Sequence, residues 1–201
     1  MSAVCTIVER HADPDSVMVD IGAWIGPVSL LASTRYKHVM AVEPNPTAFQ
    51  ILNQTINNPD NGLSGRIAPF QFAIERDDGT IKMVPPIDFY PLAGLESEAS
   101  VVSQAISMSR FMTLVDLCDK PIGLIKADLG TIDALRRTAG SLIGSAIDYS
   151  CPLVLSVNKA HYIDYEFNFI VELIKSFLSD KPWSVTTSGD DWSNLIEVCP
   201  L

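Results

Sequence analysis

The chain contains two short valine-rich runs, and each run leads directly into an acidic residue. The first is Val17–Val19, followed by Asp20 and then Gly22, and the second is Val39–Val42, followed by Glu43. Apolar runs of this length are typical of strands that are covered on both faces, as in parallel sheets. Because parallel strands send their carboxyl ends to one edge of the sheet, we expect these two acids to lie side by side and to hold one ligand.

Helical segments separate the predicted strands, as the connections of a parallel sheet require. Pro27–Tyr36 has a proline suited to its first turn, and Thr47–Asn57 spaces its apolar residues as a helix does, with Thr47 able to cap the start. This alternation predicts an α/β fold, a Rossmann-like and mostly parallel sheet with helices on both faces. The 201 residues show no linker-like break, so we expect a single domain over 1–201.

The rest of the chain continues the alternation of predicted strands and helices, and it ends in a predicted antiparallel hairpin. The amphipathic segment near the end is expected to present one apolar face that includes Phe169, Leu173 and Phe177 together with Ile170 and Ile174. The last twenty residues predict a terminal antiparallel hairpin. The remaining predictions are strands at Arg66–Ile74, Gly123–Asp128 and Pro152–Val157, helices at Ile132–Leu142 and Tyr165–Leu178, a hairpin turn at Asp78-Gly79, and a substrate-facing loop at Pro85–Ser109.

Charge and cysteine usage argue against several classes of partner and site. The formal net charge is −10 with 14 Lys and Arg, which predicts that nucleic acid is not a partner, because cationic side chains hold phosphate backbones. The four cysteines are scattered without a CxxC pair, which offers no structural zinc site and is typical of reduced thiols in a cytoplasmic protein. Asp20 and Pro27 interrupt the most apolar run, so no membrane association is expected. The apolar helices are compatible with a homodimer.

The loop after the first predicted strand has an unusual glycine spacing. It reads Asp20-x-Gly22-x-x-x-Gly26, not the GxGxxG with which a dinucleotide fold holds a pyrophosphate. A carboxylate before the glycines repels phosphate but suits an ammonium or a sulfonium, and S-adenosylmethionine (SAM) carries both. Glu43, at the next strand end, can accept both hydroxyls of a ribose. The pattern therefore favours SAM, and an NAD-dependent oxidoreductase is the disfavoured alternative.

Four motifs, in this order, resemble the FkbM-type SAM-dependent methyltransferases of class I: VDIGAWIG, AVEPNP, FAIERDDGTIKM and LIKADLGTIDALRR. The resemblance spans residues 17–157 and implies a Rossmann-like fold that methylates a hydroxyl of a sugar, glycan or small metabolite. It also implies a set of residues that bind SAM, with Asp20 at the methionine end, Glu43 at the ribose, and Phe72 and Ala73 beside the adenine. The full set is Asp20, Gly22, Ala23, Gly26, Glu43, Pro44, Asn45, Phe72, Ala73 and Asp128.

A hydroxyl acceptor gains from a base or a metal that lowers its pKa. The candidates for a catalytic base are Asp128, Asp133 and His161. The two aspartates, together with Asn158, could instead form an oxygen-rich site for Mg²⁺, although no metal-ligand set is assigned from spacing. Lys126 is expected to be solvated or to pair with an acid rather than to activate a reacting group.

The chain departs from the resembling family at several motif positions. Trp24 replaces the usual asparagine of the first motif, and Gly130 and Thr131 replace a Glu-Gly pair in the fourth. Ser156 and Asn158 stand where the fifth strand often carries glutamate and histidine. These departures motivate an alternative hypothesis, a non-catalytic scaffold protein that keeps the fold and binds the cofactor without turnover.

Overall fold

The computed structural model describes residues 3–83, 101–129, 131–158, 164–189 and 193–201. The helices among them are α1 (Ala3–Arg10), α2 (Pro27–Ala32), α3 (Pro46–Asn57), α4 (Met108–Asp116), α5 (Ile132–Asp148) and α6 (Asp164–Phe177), with a 3-10 turn at Pro59–Asn61. The strands are β1 (Val17–Ile21), β2 (His38–Val42), β3 (Ile67–Phe70), β4 (Ala73–Glu75), β5 (Gly79–Met83), β6 (Val101–Ser107), β7 (Ile122–Asp128), β8 (Leu153–Asn158), β9 (Trp183–Gly189) and β10 (Ser193–Pro200).

Seven strands form the main sheet in the order β3-β2-β1-β7-β8-β10-β9. The five strands from β3 to β8 pair in parallel, whereas β10 runs antiparallel to both β8 and β9. This arrangement confirms the predicted α/β class and the terminal hairpin. The order of the strands along the chain reverses between β1 and β7, and such a switch point opens a crevice at the carboxyl ends of the strands.

The core lies on both faces of this sheet. All five residues of β1 are buried, and their side chains alternate between the faces. Val17 and Val19 belong to the cluster that contains Phe111 of α4, whereas Met18 belongs to the cluster that contains Leu52 of α3. The valine-rich runs are therefore strands covered on both sides, which is the reason they read as continuous apolar segments.

A second, three-stranded sheet with the order β4-β6-β5 stands between β3 and β7 in the chain, and it corrects two predictions. The predicted strand Arg66–Ile74 is divided, because β3 joins the main sheet and β4 joins the small one. The predicted hairpin at Asp78-Gly79 is wrong, since β6 lies between β4 and β5 and pairs with both. The Asp78 side chain accepts from the N–H of Ser107 at 2.8 Å, which ties this turn to the end of β6.

The predicted loop Pro85–Ser109 is only partly covered by the structure. Residues 84–100 lie outside the described residues, and the remainder is β6 and the first turn of α4. The loop prediction is therefore wrong for 101–109. Glu75 at the end of β4 ties the small sheet to α5, because it forms an ion pair of 2.9 Å with Arg137 of that helix.

Helix α1 is not among the predicted elements. Its buried side chains, Val4, Ile7 and Val8, follow helical spacing and join the cluster of Met18 and Leu52. The helix begins the chain with only eight residues, so its apolar face is too short to stand out as a periodic pattern.

Helix α6 buries a different face from the predicted one. Ile170 and Ile174 are buried as expected, but Phe169, Leu173 and Phe177 are each more than half exposed. The buried positions that replace them are Phe167, Val171 and Leu178. Both sets have helical spacing, so periodicity alone could not decide between them.

Helix ends also differ from prediction, by one residue at each end of α6 and at the following places in the other helices. Helix α2 stops at Ala32, where the chain turns back and the N–H of Lys37 donates to the carbonyl of Ser16, just before β1. Helix α3 begins one residue early, because Asn45 rather than Thr47 is the N-cap and Pro46 is the first helical residue. Helix α5 continues past Leu142 to Asp148.

Candidate functional site

The three acids that end predicted strands lie on neighbouring strands of the main sheet. In β1, Asp20 stands opposite Ala41 of β2 and Lys126 of β7. Glu43 follows directly after β2, and Asp128 is the last residue of β7. The structure therefore brings all three to one edge of the sheet, beside the switch point.

The loop from β1 to α2 is fixed by backbone contacts to both neighbouring strand ends. The N–H groups of Gly22 and Ala23 both donate to the carbonyl of Val42, at 2.9 Å each. Gly22 has a φ of +71°, and a Cβ at this position would lie 2.2 Å from the carbonyl oxygen of Asp128. Only glycine meets both conditions, so Gly22 closes the contact between the first and fourth motifs.

The second glycine of the loop, Gly26, has a φ of +103° and precedes α2 as its N-cap. A Cβ there would lie 2.7 Å from the side chain of Leu52 on α3. The spacing of the two glycines thus reflects two separate close approaches, one to β7 and one to α3. The intervening residues, Ala23, Trp24 and Ile25, carry no charge.

Asp20 is completely buried, and its two carboxylate oxygens differ, since Oδ1 takes part in an ion pair without a hydrogen bond and Oδ2 is hydrogen-bonded. Oδ1 lies 2.8 Å from the ammonium Nζ of Lys126, and Oδ2 accepts a hydrogen bond of 2.6 Å from the hydroxyl of Ser29. The expected pairing of Lys126 with an acid is confirmed. The predicted contact between Asp20 and a methionine ammonium stays a prediction. In this structure the Asp20 carboxylate has no exposed surface on which a ligand could contact it.

Lys126 links Asp20 to the loop between β1 and α2. Its ammonium also donates to the carbonyl of Gly22 at 3.0 Å and lies 3.4 Å from the carbonyl of Ile21. Burial alone would lower the pKa of Lys126, but the carboxylates of Asp20, Asp128 and Glu43 outweigh it and raise that pKa. The side chain is therefore a fixed cation that holds the loop backbone.

Glu43 is nearly buried but is held by backbone groups alone. Its Oε2 accepts from the N–H of Trp24 at 2.8 Å, and its Oε1 accepts from the N–H of Asn45 at 2.7 Å. Burial raises the pKa of the Glu43 carboxyl above its ordinary value of 4.5, although these two N–H donors and Lys126 act in the opposite direction. Each oxygen keeps a further lone pair for another donor.

Trp24 belongs to the loop between β1 and α2 and is partly exposed. Its φ of +53° is in the left-handed region, which is uncommon for an aromatic residue. Its side chain is 46% exposed. The N–H of Trp24 is one of the two backbone donors that orient the carboxylate of Glu43.

Pro44 and Asn45 complete the β2 loop. Pro44 is half-buried, and Asn45 accepts at its side-chain oxygen from the N–H groups of Thr47 and Ala48. Asn45 thus caps α3 and, through its own N–H, fixes Glu43. Its part in the site is to position that acid.

Phe72 and Ala73 connect the main sheet to the small one. The ring of Phe72 packs against Phe70 and Phe111, with centroid distances of 5.7 and 5.6 Å. It also borders a cleft of about 520 Å³ that is lined by Ala105, Ile106, Arg110 and Leu114 among others. The structure does not test whether Phe72 or Ala73 contacts adenine.

The three predicted catalytic residues differ in where the structure places them. Asp128 is exposed at the edge of the site, directly against Gly22. Asp133 lies in the first turn of α5, where its largely exposed carboxylate pairs with Arg136 at 3.4 Å. His161 lies outside the described residues.

A magnesium site is not supported by the described part of the chain. Asp128 and Asp133 belong to no group of three His, Cys, Asp or Glu side chains with converging ligand atoms there. The side chain of Asn158 is outside the described residues.

Ser29 is a site residue that the sequence analysis missed. It is a fully buried hydroxyl in the apolar helix α2, between Val28 and Leu30. A polar residue in such a place signals an internal partner, because an unpaired buried hydroxyl is costly. The partner itself could not be read from the sequence.

No family model and no curated protein matches the chain. Solved structures do match its fold. An rRNA methylase from Streptococcus thermophilus has a TM-score of 0.61 at 13% identity, over 98% of this chain and 93% of its own. A protein from Streptococcus mutans, assigned as a methyltransferase and solved in complex with SAH, has a TM-score of 0.60 at 12% identity, over 98% and 95%.

A third match is a protein from Clostridium thermocellum that was assigned as an rRNA methylase. Its TM-score is 0.59 at 9% identity, over 98% of this chain and 95% of its own. At these identities the likeness shows the fold alone, a Rossmann-like α/β fold that this chain shares with the three structures. Two of the three structures are named for RNA, so the predicted exclusion of nucleic acid finds no support here, and neither does a carbohydrate acceptor.

None of the helices in the described ranges combines the length and the apolar character that crossing a membrane requires.

Proposed function

We propose that this protein is a SAM-dependent methyltransferase whose cofactor site lies at the carboxyl ends of β1, β2 and β7. The observation that carries the proposal is the burial of Glu43 together with the hydrogen bonds that its carboxylate accepts. This carboxylate is nearly buried, ends a strand beside the switch point, and is held by one backbone N–H at each oxygen. Ribose hydroxyls are donors that suit the remaining lone pairs.

The residues of the loop fit this cofactor rather than a dinucleotide. No cationic side chain lies between Gly22 and Gly26, and the ammonium of Lys126 is buried against Asp20. A pyrophosphate would therefore meet carboxylates without an available cation. Gly22 and Gly26, with their positive φ values, keep the loop free of side chains on the surfaces that approach β7 and α3.

In this proposal the two acids have different tasks. Glu43 binds the ribose, with Pro44 and Asn45 shaping its surroundings. Asp20 acts through Lys126, which fixes the loop carbonyls of Ile21 and Gly22 at the methionine end. Bound SAM supplies a methyl group on a sulfonium, and the protein contributes mainly by positioning the acceptor in line with it.

We further propose a hydroxyl acceptor, on a sugar, glycan or small metabolite, as the resemblance to FkbM-type enzymes implies. Asp128 is the base that the geometry favours, because this residue is exposed and its backbone and Cβ lie against Gly22 of the loop that follows β1. Asp133 is less suited, since Arg136 pairs with it and it faces solvent. A net charge of −10 is unfavourable for a polyanionic acceptor.

One observation favours a second candidate, a protein that binds the cofactor without turnover. Both oxygens of Asp20 are engaged by Lys126 and Ser29, which leaves the ammonium of SAM without this acid as a direct partner. A site that holds the nucleoside but orients the methionine loosely would bind and not transfer.

Isothermal titration with SAM and SAH tests the cofactor site. We expect the wild-type protein to bind both, and Glu43→Ala to weaken binding by at least about tenfold, because hydrogen bonds to a charged group contribute about 1.5–3 kcal/mol. Glu172→Ala, which removes an exposed acid on α6, is the matched control and should leave affinity unchanged. Absence of binding to folded wild-type protein would refute the proposal.

Transfer of a labelled methyl group separates the two candidates. The panel should contain sugars, oligosaccharides, small hydroxyl compounds and an RNA arm. Methylation of a hydroxyl compound that is lost in Asp128→Asn supports the enzyme, and methylation of RNA alone would refute the proposed acceptor. SAM binding with no transfer to any arm favours the non-catalytic protein.

A further inference from the structure

The two ends of the described chain meet at the edge of the main sheet opposite the candidate site. Glu197 and Cys199 lie on β10, where Glu197 pairs with Val154 near the start of β8. His11 directly follows α1. Because β8 runs parallel to β7 towards the cofactor edge, residues beside its start belong to the other edge. The cluster is therefore separate from the proposed cofactor site.

Three different ligand types converge in this cluster. Among the described residues, the imidazole of His11, the carboxylate of Glu197 and the thiol of Cys199 place their ligand atoms within 4.8 Å of one another. Nε2 of His11 lies 2.6 Å from Oε1 of Glu197, and Sγ of Cys199 lies 3.7 Å from that oxygen and 3.9 Å from that nitrogen.

These separations are close to the distances between neighbouring ligand atoms around a tetrahedral zinc ion. With Zn–N and Zn–O lengths of about 2.0–2.1 Å and a Zn–S length of about 2.3 Å, neighbouring ligands lie roughly 3.3–3.6 Å apart. The two distances to sulfur need to shorten only slightly, and the nitrogen–oxygen distance needs to open by less than about 1 Å. Small rotations of the side chains can supply such changes.

We propose that His11, Glu197 and Cys199 form a zinc site that joins the end of α1 to β10. Nitrogen, sulfur and carboxylate oxygen are the ligands that zinc takes in proteins, and a water would complete the tetrahedron. A thiolate ligand disfavours magnesium and calcium, which prefer oxygen. The cluster offers two anionic ligands for a dication.

Arg10 is compatible with this occupancy. Its NH1 donates to Oε2 of Glu197 at 2.9 Å and to Oε1 at 3.1 Å. The bond to Oε2 can persist when Oε1 ligates the metal, so Arg10 becomes the group that orients the carboxylate. Such partners of metal ligands are common around zinc.

The geometry argues against another use of Cys199. Burial and the neighbouring Glu197 carboxylate raise the pKa of this thiol to about 11, although Arg10 acts in the opposite direction. A nucleophilic or redox-active cysteine requires the thiolate at neutral pH, which an electropositive setting would provide. Cys199 lacks that setting in the metal-free protein.

The position of the site suggests a structural role. His11 and Glu197 are 186 residues apart in sequence, so one ion would tie both ends of the chain to the same sheet edge. A ligand that binds only the folded state stabilises it in proportion to its affinity and concentration.

Cobalt titration of the full-length, chelator-stripped protein tests the proposal. We expect one equivalent of Co²⁺ to give the visible bands of tetrahedral coordination and a thiolate-to-cobalt charge-transfer band, and Zn²⁺ to displace it. Cys199→Ser should abolish the charge-transfer band, and His11→Gln should weaken binding by at least about tenfold. Cys118→Ser and His38→Gln, away from the cluster, are the matched controls and should bind as the wild type does.

Two results would overturn the proposal. One is no stoichiometric cobalt binding by folded wild-type protein, which would leave the cluster as an ion pair between Glu197, Arg10 and His11. The other is a charge-transfer band that survives in Cys199→Ser, which would place the metal on another cysteine. Neither result depends on SAM binding, so the cofactor proposal is tested separately.

Discussion

Asp20 and Glu43 end neighbouring parallel strands at the same edge of the sheet, yet their carboxylates are held in opposite ways. The side chains of Lys126 and Ser29 enclose Asp20, which has no exposed surface. Glu43 is oriented by backbone N–H groups and keeps acceptor capacity. The comparison teaches that the surrounding donors, more than the position at a strand end, decide whether an acid is enclosed by partners or keeps acceptor capacity for a further donor.

Removal of the cation beside Asp20 should have the largest effect. Lys126→Met leaves a buried carboxylate without its ion-pair partner, and we expect the free energy of unfolding to fall by about 3–5 kcal/mol. Urea unfolding measures this change. Lys175→Met, which removes an exposed partner of Glu172, is the control and should cost less than about 0.5 kcal/mol.

A double variant sharpens this result. Asp20→Asn combined with Lys126→Met removes both charges, so it should be more stable than Lys126→Met alone. If Lys126→Met lowered the free energy of unfolding by less than about 1 kcal/mol, the buried Asp20 carboxylate would not need Lys126 for its stability.

The loop between the two acids gives the next effect. Gly22→Ala places a side chain on a left-handed residue and drives a Cβ into the carbonyl of Asp128. We expect a loss of about 2–4 kcal/mol in the free energy of unfolding and weaker SAM binding. Gly62→Ala has a similar φ of +62° but meets no atom within 4 Å, so it should cost only about 1–2 kcal/mol. Equal losses in the two variants would contradict a role for the contact between Gly22 and Asp128.

The smallest effect concerns the protonation of Glu43. Because burial raises its pKa above 4.5 in the folded protein, the native state binds more protons than the unfolded state just above that pH. The stability of the wild type should therefore decline as pH rises through this interval, and Glu43→Gln should lack this component. Urea unfolding at a series of pH values measures the difference between the two proteins.

Glu172→Gln provides the control for the loss of one carboxylate. The prediction would be contradicted if the wild type gained free energy of unfolding relative to Glu43→Gln as pH rose through the same interval. It would mean that the N–H groups of Trp24 and Asn45 stabilise the charged form more than burial opposes it.

The central strands of the main sheet could be predicted because they are covered on both faces and therefore read as uninterrupted apolar runs. Val17–Val19, Val39–Val42 and Gly123–Asp128 were found in this way, and parallel connectivity brought the acids that follow them to one edge. The small sheet was mispredicted because a local turn signal at Asp78-Gly79 cannot show that β6 lies between the strands on either side. Helix α6 was assigned correctly but not its buried face.

The sequence by itself determined the α/β class, the alternation of strands and helices around the parallel strands, and the edge of the sheet where Asp20, Glu43 and Asp128 meet. Local periodicity and turn chemistry suffice for these features, since each depends on residues close together in the chain. Only the tertiary structure decided that Lys126 encloses Asp20, that Glu43 keeps free acceptor capacity, and that His11 meets Glu197 and Cys199. These outcomes depend on packing between segments far apart in sequence, and no local pattern records which buried groups become partners.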